Sequence, residues 1–285
     1  MRIAFLAWLG VCAGLLAVPA AAAVADERAA LEGERDPARL EAAAVAIARS
    51  KDAAATADLA RHLGERAFLE RLDPPGAAGS PVVRLARVFR ALALNPSPAS
   101  ASLGIALAGD PDFTAVPARL NHVLSALAAV RPMSEQAARI FRATGRTQYL
   151  EVNGPLLARN GSPRALQVLE ELLRDDSLDA AQRVSMAHWA LLPNRTKPRV
   201  IEMSGRLVNA RISRDVQVAI VESLYDYQPR RWFSVASGQP KPPPWSAAPA
   251  AARERLKSLG KTLLARSDLE PALRAAIQET LQQLG

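Results

Sequence analysis

The sequence predicts an all-α protein built from antiparallel pairs of helices, and three observations support this. Alanine and leucine supply most of an apolar content of 49%, and only 5% of the residues are aromatic, a mixture that favours helices over sheets. Apolar residues recur at the three- and four-residue spacing of a buried helix face, and no sustained alternating pattern indicates a strand. Proline follows serine or aspartate at many of the points where these periodic segments begin, as at helix N-termini.

The first 25 residues have the three-part layout of a secretory signal peptide. A basic start (M-R) precedes an uncharged apolar stretch over residues 3–23, which Pro19 interrupts. The small-residue pattern A-V-A at 23–25 predicts cleavage before Asp26, and the A-A-A triplet at 21–23 is the nearby alternative. A membrane anchor is the competing interpretation, because the uncharged run is long. We expect an exported protein, periplasmic or secreted, with no transmembrane segment in the mature chain.

Helices are predicted in order along the N-terminal part, residues 26–150. Asp36-Pro37 provides an N-cap and a first-turn proline, and an apolar stripe predicts one helix over 52–72. Ser80-Pro81 and Ser97 each begin a further helix, and Asp110-Pro111-Asp112 is predicted to be a turn. Helices at about 115–130, 134–144 and 147–158 complete this part, which we interpret as degenerate repeats.

The C-terminal part, residues 151–285, repeats a helical pair three times. The paired segments are 165–173 with 183–191, 200–208 with 214–224, and 256–264 with 271–281. Their last apolar residues recur at a period in the mid-thirties once a proline-rich insertion at about 228–249 is set aside. A helical pair repeated at that period indicates a right-handed α-solenoid.

These repeats resemble those of HEAT-type and armadillo-like proteins. The resemblance rests on the apolar spacing in R-A-L-Q-V-L-E-E-L-L (164–173), D-V-Q-V-A-I-V-E-S-L (215–224) and L-R-A-A-I (273–277). It covers residues 151–285 well and the N-terminal part loosely. It implies a scaffold with an extended concave surface and implies no catalytic residues.

Catalytic and metal-binding motifs are missing from the sequence, which argues against an enzyme and against a cofactor. The chain contains none of the nucleotide-binding, metalloprotease or serine-hydrolase signatures. The one cysteine, Cys12, lies in the predicted signal peptide, so disulfides and thiol catalysis are excluded from the mature protein. His62, His122 and His188 are interpreted as helix-surface or core-edge residues. An envelope enzyme on a helical toroid, using scattered histidines or carboxylates, is the alternative.

One aromatic and basic segment is the candidate partner-binding site, since aromatic and arginine side chains supply most binding hot spots. It follows the second repeat pair and continues into the proline-rich insertion. In the alternative interpretation its tryptophans fold the insertion back as a plug over the edge of the solenoid. The candidate residues are Tyr225, Tyr227, Arg230, Arg231, Trp232, Phe233 and Trp245.

The charge balance suggests the kind of partner. The net charge is +8, and the excess of basic residues is densest between Arg183 and Lys241. Nucleic acid is not expected as a partner of an exported protein, so another protein or an anionic envelope component is favoured. A purely solubilising role of this charge, and a module that binds anionic membranes or polymers, are the alternatives. The sequence therefore predicts a non-catalytic binding or scaffolding protein.

Overall fold

The structure is a computed structural model that describes residues 24–50, 52–74, 83–146, 150–225 and 244–284. These residues contain sixteen α-helices and no strand, which confirms the all-α prediction. Contacts between helices divide the chain into two compact units, one ending at Asn95 and one beginning at Pro96. The sequence analysis placed a different boundary at residue 150, between degenerate repeats and regular ones, and that boundary stays a prediction.

The first unit contains five helices within the described residues. They are α1 (Ala25–Gly33), α2 (Pro37–Ser50), α3 (Ala53–Leu63), α4 (Arg66–Leu72) and α5 (Val83–Leu94). The second helix packs against each of the other four, so its apolar face, with Leu40 and Ile47 fully buried, forms the centre of this unit.

Two sequence predictions in the first unit need correction. The single helix predicted over 52–72 is two helices, because Gly64 ends α3 and Glu65 adopts an extended backbone before α4 begins. The apolar stripe continues across this break, which is why periodicity alone did not reveal it. The sequence also gave no signal for α1, whose Leu31 is fully buried.

The second unit contains eleven helices within the described residues. They are α6 (Pro98–Ala108), α7 (Pro111–Thr114), α8 (Pro117–Ala129), α9 (Glu135–Thr144), α10 (Leu150–Asn160), α11 (Pro163–Arg174), α12 (Ala180–Leu191), α13 (Pro198–Val208), α14 (Arg214–Leu224), α15 (Ala250–Leu264) and α16 (Pro271–Gln283). The six helices predicted for the repeats are present as α11 to α16, and α12 and α15 begin earlier than predicted. The turn predicted at 110–112 is instead a one-turn helix, α7, which Asp110 caps.

Helix starts in the second unit follow local chemistry. The Ser97 hydroxyl accepts a hydrogen bond from Ser100 N, while the Ser100 hydroxyl accepts one from Ser97 N, so the two serines cap α6 reciprocally. Ser134 caps α9 and Asp179 caps α12 with a single bond each, accepting from a backbone N–H of the first turn. Such a cap contributes about 1 kcal/mol, so these boundaries are specified locally.

Packing in the second unit places alternate helices next to one another. Among the described residues, α9, α11, α13 and α15 pack in that order, and α8, α10, α12, α14 and α16 do the same. The predicted repeat anchors Leu173, Leu191, Val208 and Leu224 are buried. The corresponding residues of α15 and α16, Leu264 and Leu281, are only half-buried.

Candidate partner-binding site

Two of the seven candidate residues lie in the described part of the chain, and both are core residues. Tyr225 ends α14 and is 1% exposed. Its hydroxyl donates to Leu256 O (2.9 Å), and its own carbonyl accepts from the Thr280 hydroxyl (3.1 Å). Burial raises the pKa of the Tyr225 phenol well above its usual range, so the hydroxyl remains a donor. Tyr225 thus connects α14 to α15 and α16.

Trp245 follows residues 226–243 in the sequence and is buried in the 3-10 turn Trp245–Ala247. It is 4% exposed, and the guanidinium of Arg195, itself 2% exposed, lies over the indole ring at 5.1 Å from the centroid. Such a stacked cation contributes about 2 kcal/mol or more when both groups are desolvated. The indole N–H has no hydrogen-bond partner among the described residues. The ring is therefore held by apolar contact and by the Arg195 cation.

The burial of Tyr225 and Trp245 determines whether they can contact a partner. A side chain that is nearly inaccessible cannot contact a partner in this conformation, so Tyr225 and Trp245 act as anchors on either side of residues 226–243. For Trp245 this geometry agrees with the alternative in which the ring packs back onto the helices. The other five candidates, namely Tyr227, Arg230, Arg231, Trp232 and Phe233, lie outside the described residues, and their role stays a prediction.

Within the described part of the chain, the arrangement most similar to a catalytic site is a buried group formed by His188, Ser223 and Glu222. His188 Nδ1 lies 3.1 Å from the Ser223 hydroxyl, and His188 Nε2 lies 3.3 Å from Glu222 Oε2. However, the Ser223 hydroxyl also donates to Ala219 O (2.7 Å) and the residue is 1% exposed. A substrate has no access to this serine, so we interpret the group as a core network joining α12 to α14.

The other histidines fit the helix-surface or core-edge interpretation to different degrees. His62 is buried, stacks on Phe68 at 5.3 Å between ring centroids, and places Nδ1 3.3 Å from Glu65 Oε2. His122 is half-buried on α8. Among the described residues, no group of three or more His, Cys, Asp or Glu side chains could hold a metal ion.

The basic stretch between Arg183 and Lys241 is not one continuous exposed surface. Within its described portion, Arg183 is buried and pairs with Asp176 at 2.7 Å. Arg206 pairs with Glu170 at 2.7 Å, and Arg211 is exposed without an ion pair. Charge density along the sequence therefore overstates the free positive charge of this region.

A cluster that the sequence analysis missed lies where three turns of the second unit meet, and we call Arg131, Arg159 and Lys197 the cation cluster. Arg131 Nη2 donates to Arg159 O (2.6 Å). Lys197 Nζ donates to the same oxygen (3.0 Å) and to Ala158 O (3.2 Å). Burial, together with the charges of Arg131 and Arg159, lowers the pKa of the Lys197 ammonium to about 8.

A buried hydrogen-bond network joins the chain next to Arg131 to the end of α10, which carries Arg159. Asn160, 3% exposed, donates through Nδ2 to Ala128 O (2.8 Å) and Val130 O (2.9 Å). The Ser162 hydroxyl donates to Asn160 Oδ1 (2.6 Å) and accepts from Met133 N (3.3 Å). The N-G-S-P motif that marks this turn was visible in the sequence, but its contacts with residues 128–133 were not.

Gly161 supplies the backbone conformation that this turn requires. Its φ of +67° lies in the left-handed region, which side chains other than glycine rarely adopt. An added Cβ would lie 4.0 Å from Lys197 Nζ. The turn after α10 therefore places its backbone directly beside the lysine.

Comparison with models of protein families, with curated proteins and with solved structures found no match. Among the described residues, none of the helices combines the length and apolar content needed to cross a bilayer.

Proposed function

We propose that the chain is an exported, non-catalytic binding protein that contacts an envelope partner through the segment between Tyr225 and Trp245. In this proposal the signal peptide is removed near Ala25 and the mature protein works in the periplasm or outside the cell. The second unit is a right-handed α-solenoid of antiparallel pairs, similar to HEAT-type or armadillo-like repeats. The two orders of neighbouring helices, one odd-numbered and one even-numbered, support this architecture.

The observation that carries the proposal is that a buried aromatic residue anchors the chain on each side of residues 226–243. Tyr225 and Trp245 are 1% and 4% exposed, and each has a specific partner in Leu256 or Arg195. Anchoring both ends lowers the conformational entropy that an intervening segment loses when it binds. The arginines and aromatics at 227–233 are residue types that dominate binding energy.

A pull-down with the mature protein tests this function. We expect an envelope extract to yield a partner with the parent protein and much less of it with the Arg230→Ala/Arg231→Ala double variant. Arg211→Ala is the matched control, because Arg211 is exposed, makes no ion pair with a described residue and lies on the same unit. Equal recovery of the same partner by the parent, the double variant and the control would contradict the proposal.

A further inference from the structure

The cation cluster has an excess of positive charge that the described residues do not balance. No carboxylate of the described residues lies within ion-pair distance of Arg131, Arg159 or Lys197, and besides burial the two groups that lower the pKa of Lys197 are both cationic. The acid next along the chain from Arg131, Glu135, is already engaged, since Arg142 lies 3.2 Å and Arg164 lies 3.1 Å from its carboxylate.

The negative end of the α10 helix dipole compensates only part of this positive charge. Cations near a helix C-terminus are favourable because the helix dipole places roughly half a negative charge there. Lys197 and Arg131 bond to the terminal carbonyls of Ala158 and Arg159 in this way. The two arginine charges and the Lys197 ammonium together exceed what the dipole attracts, and the Arg159 guanidinium makes no described bond to these carbonyls.

Several donors of the cluster remain available to a ligand. An ammonium has three donors and a guanidinium five. Lys197 uses its donors on two carbonyls, Arg131 uses one nitrogen, and Arg159 makes no side-chain hydrogen bond with any residue that the structure describes. Arg131 and Arg159 are exposed, so a ligand can reach them from solvent. The Asn160 network meanwhile holds the turns that position Arg131 and Arg159, and Lys197 is joined to them by its own bonds to Ala158 O and Arg159 O.

We propose that Arg131, Arg159 and Lys197 form a binding site for a phosphate-class oxyanion, either inorganic phosphate or the phosphomonoester or phosphodiester group of a larger molecule. Three neighbouring cations, of which Arg131 and Lys197 meet at the Arg159 carbonyl, offer more charge and more donors than one acceptor oxygen can use, which suits a tetrahedral anion with several acceptor oxygens. A carboxylate has two oxygens and one charge, so it would leave part of the cluster unsatisfied. This site is independent of residues 226–243 and of the proposed partner.

Titration of the mature protein with inorganic phosphate, followed by calorimetry, tests the site. We expect saturable binding in the millimolar range or tighter, and roughly tenfold weaker binding by Arg159→Ala, the loss of one charge-assisted contact. Arg159 makes no described side-chain bond, so its variant should keep the parent melting temperature. Arg211→Ala is the control and should bind phosphate as the parent does. Acetate should bind much more weakly than phosphate.

A second experiment distinguishes a lipid headgroup from a soluble phosphate ligand. Phosphatidylglycerol vesicles are compared with phosphatidylcholine vesicles for the parent, Arg159→Ala and Arg211→Ala. Stronger binding to the anionic vesicles than to inorganic phosphate, weakened only by Arg159→Ala, would identify a lipid headgroup, and the reverse order would identify a soluble ligand. Absence of phosphate binding, or equal weakening by Arg159→Ala and Arg211→Ala, would overturn the proposal.

Discussion

Arg195 lies over the indole ring of Trp245, with its guanidinium carbon 5.1 Å from the ring centroid. The two residues are far apart in sequence, and both are almost completely buried. The contact attaches the end of the proline-rich insertion to the turn that follows α12. Trp245 therefore belongs to the structural framework of the second unit.

Trp245→Ala should lower the free energy of unfolding by about 3–5 kcal/mol, the cost of deleting a buried large aromatic side chain. Trp245→Phe is the matched control, because it keeps an aromatic face for Arg195 and should cost much less. Urea denaturation of both variants measures the difference. An unchanged midpoint for Trp245→Ala would contradict the burial of this ring.

Asn160→Ala should destabilise the second unit by about 2–4 kcal/mol, because it leaves the buried carbonyls of Ala128 and Val130 without their donor. Asn209→Ala is the control: its side chain is exposed and donates only to Gly205 O in the preceding turn. Surface changes of that kind usually alter stability by about 0.5 kcal/mol or less. Similar thermal melts for the two variants would show that the Asn160 network is not formed.

Lys197 predicts a specific pH dependence of stability. Its pKa is about 8 in the folded protein against 10.5 for the free side chain, so between these values the unfolded state binds more protons and stability rises with pH. The gain should be no more than about 1–2 kcal/mol, because the side chain is only half-buried and solvent screens it. Denaturation of the parent and of Lys197→Gln from pH 7 to pH 10 isolates this contribution. A parent stability that falls relative to the variant over this range would contradict the assigned direction.

The same lysine should take up a proton when an anion binds, because a neighbouring negative charge raises the pKa of an ammonium. Sulfate is the suitable probe, since it does not itself titrate near neutral pH. Calorimetry at pH 8 in buffers of different ionisation enthalpy measures proton uptake, which Lys197→Gln should abolish. Uptake of equal size in the variant would assign the proton to another group.

The sequence alone predicted those parts of the fold that depend on residues close together in the chain. The starts of α6 and α9 were predicted to within a residue, because a serine cap acts within one turn. The six helices of the predicted repeats were found because each has its own apolar stripe, but α12 begins at Ala180, three residues before the predicted start, because the Asp179 cap was not recognised. The break at Gly64 was missed because that stripe continues through it.

The sites were less predictable, because they depend on residues distant in the chain. The burial of Tyr225 depends on Leu256 and Thr280, and that of Trp245 depends on Arg195. The aromatic composition that suggested an exposed binding surface cannot distinguish these anchors from contact residues. The cation cluster likewise forms from three turns, and no local pattern connects Arg131 with Lys197.

Thermal melts of Trp232→Ala, Arg230→Ala and Arg231→Ala in the mature protein test the binding-site proposal most directly and require no knowledge of the partner. If these residues contact a partner, all three variants should keep the stability of the parent within about 0.5 kcal/mol, as exposed substitutions do. Each should then weaken recovery of the partner, at a cost of roughly 2 kcal/mol in affinity for a hot-spot residue. A loss of about 3 kcal/mol or more for Trp232→Ala, with both arginine variants silent in stability and in binding, would show that Trp232 is a plug and would contradict the proposal.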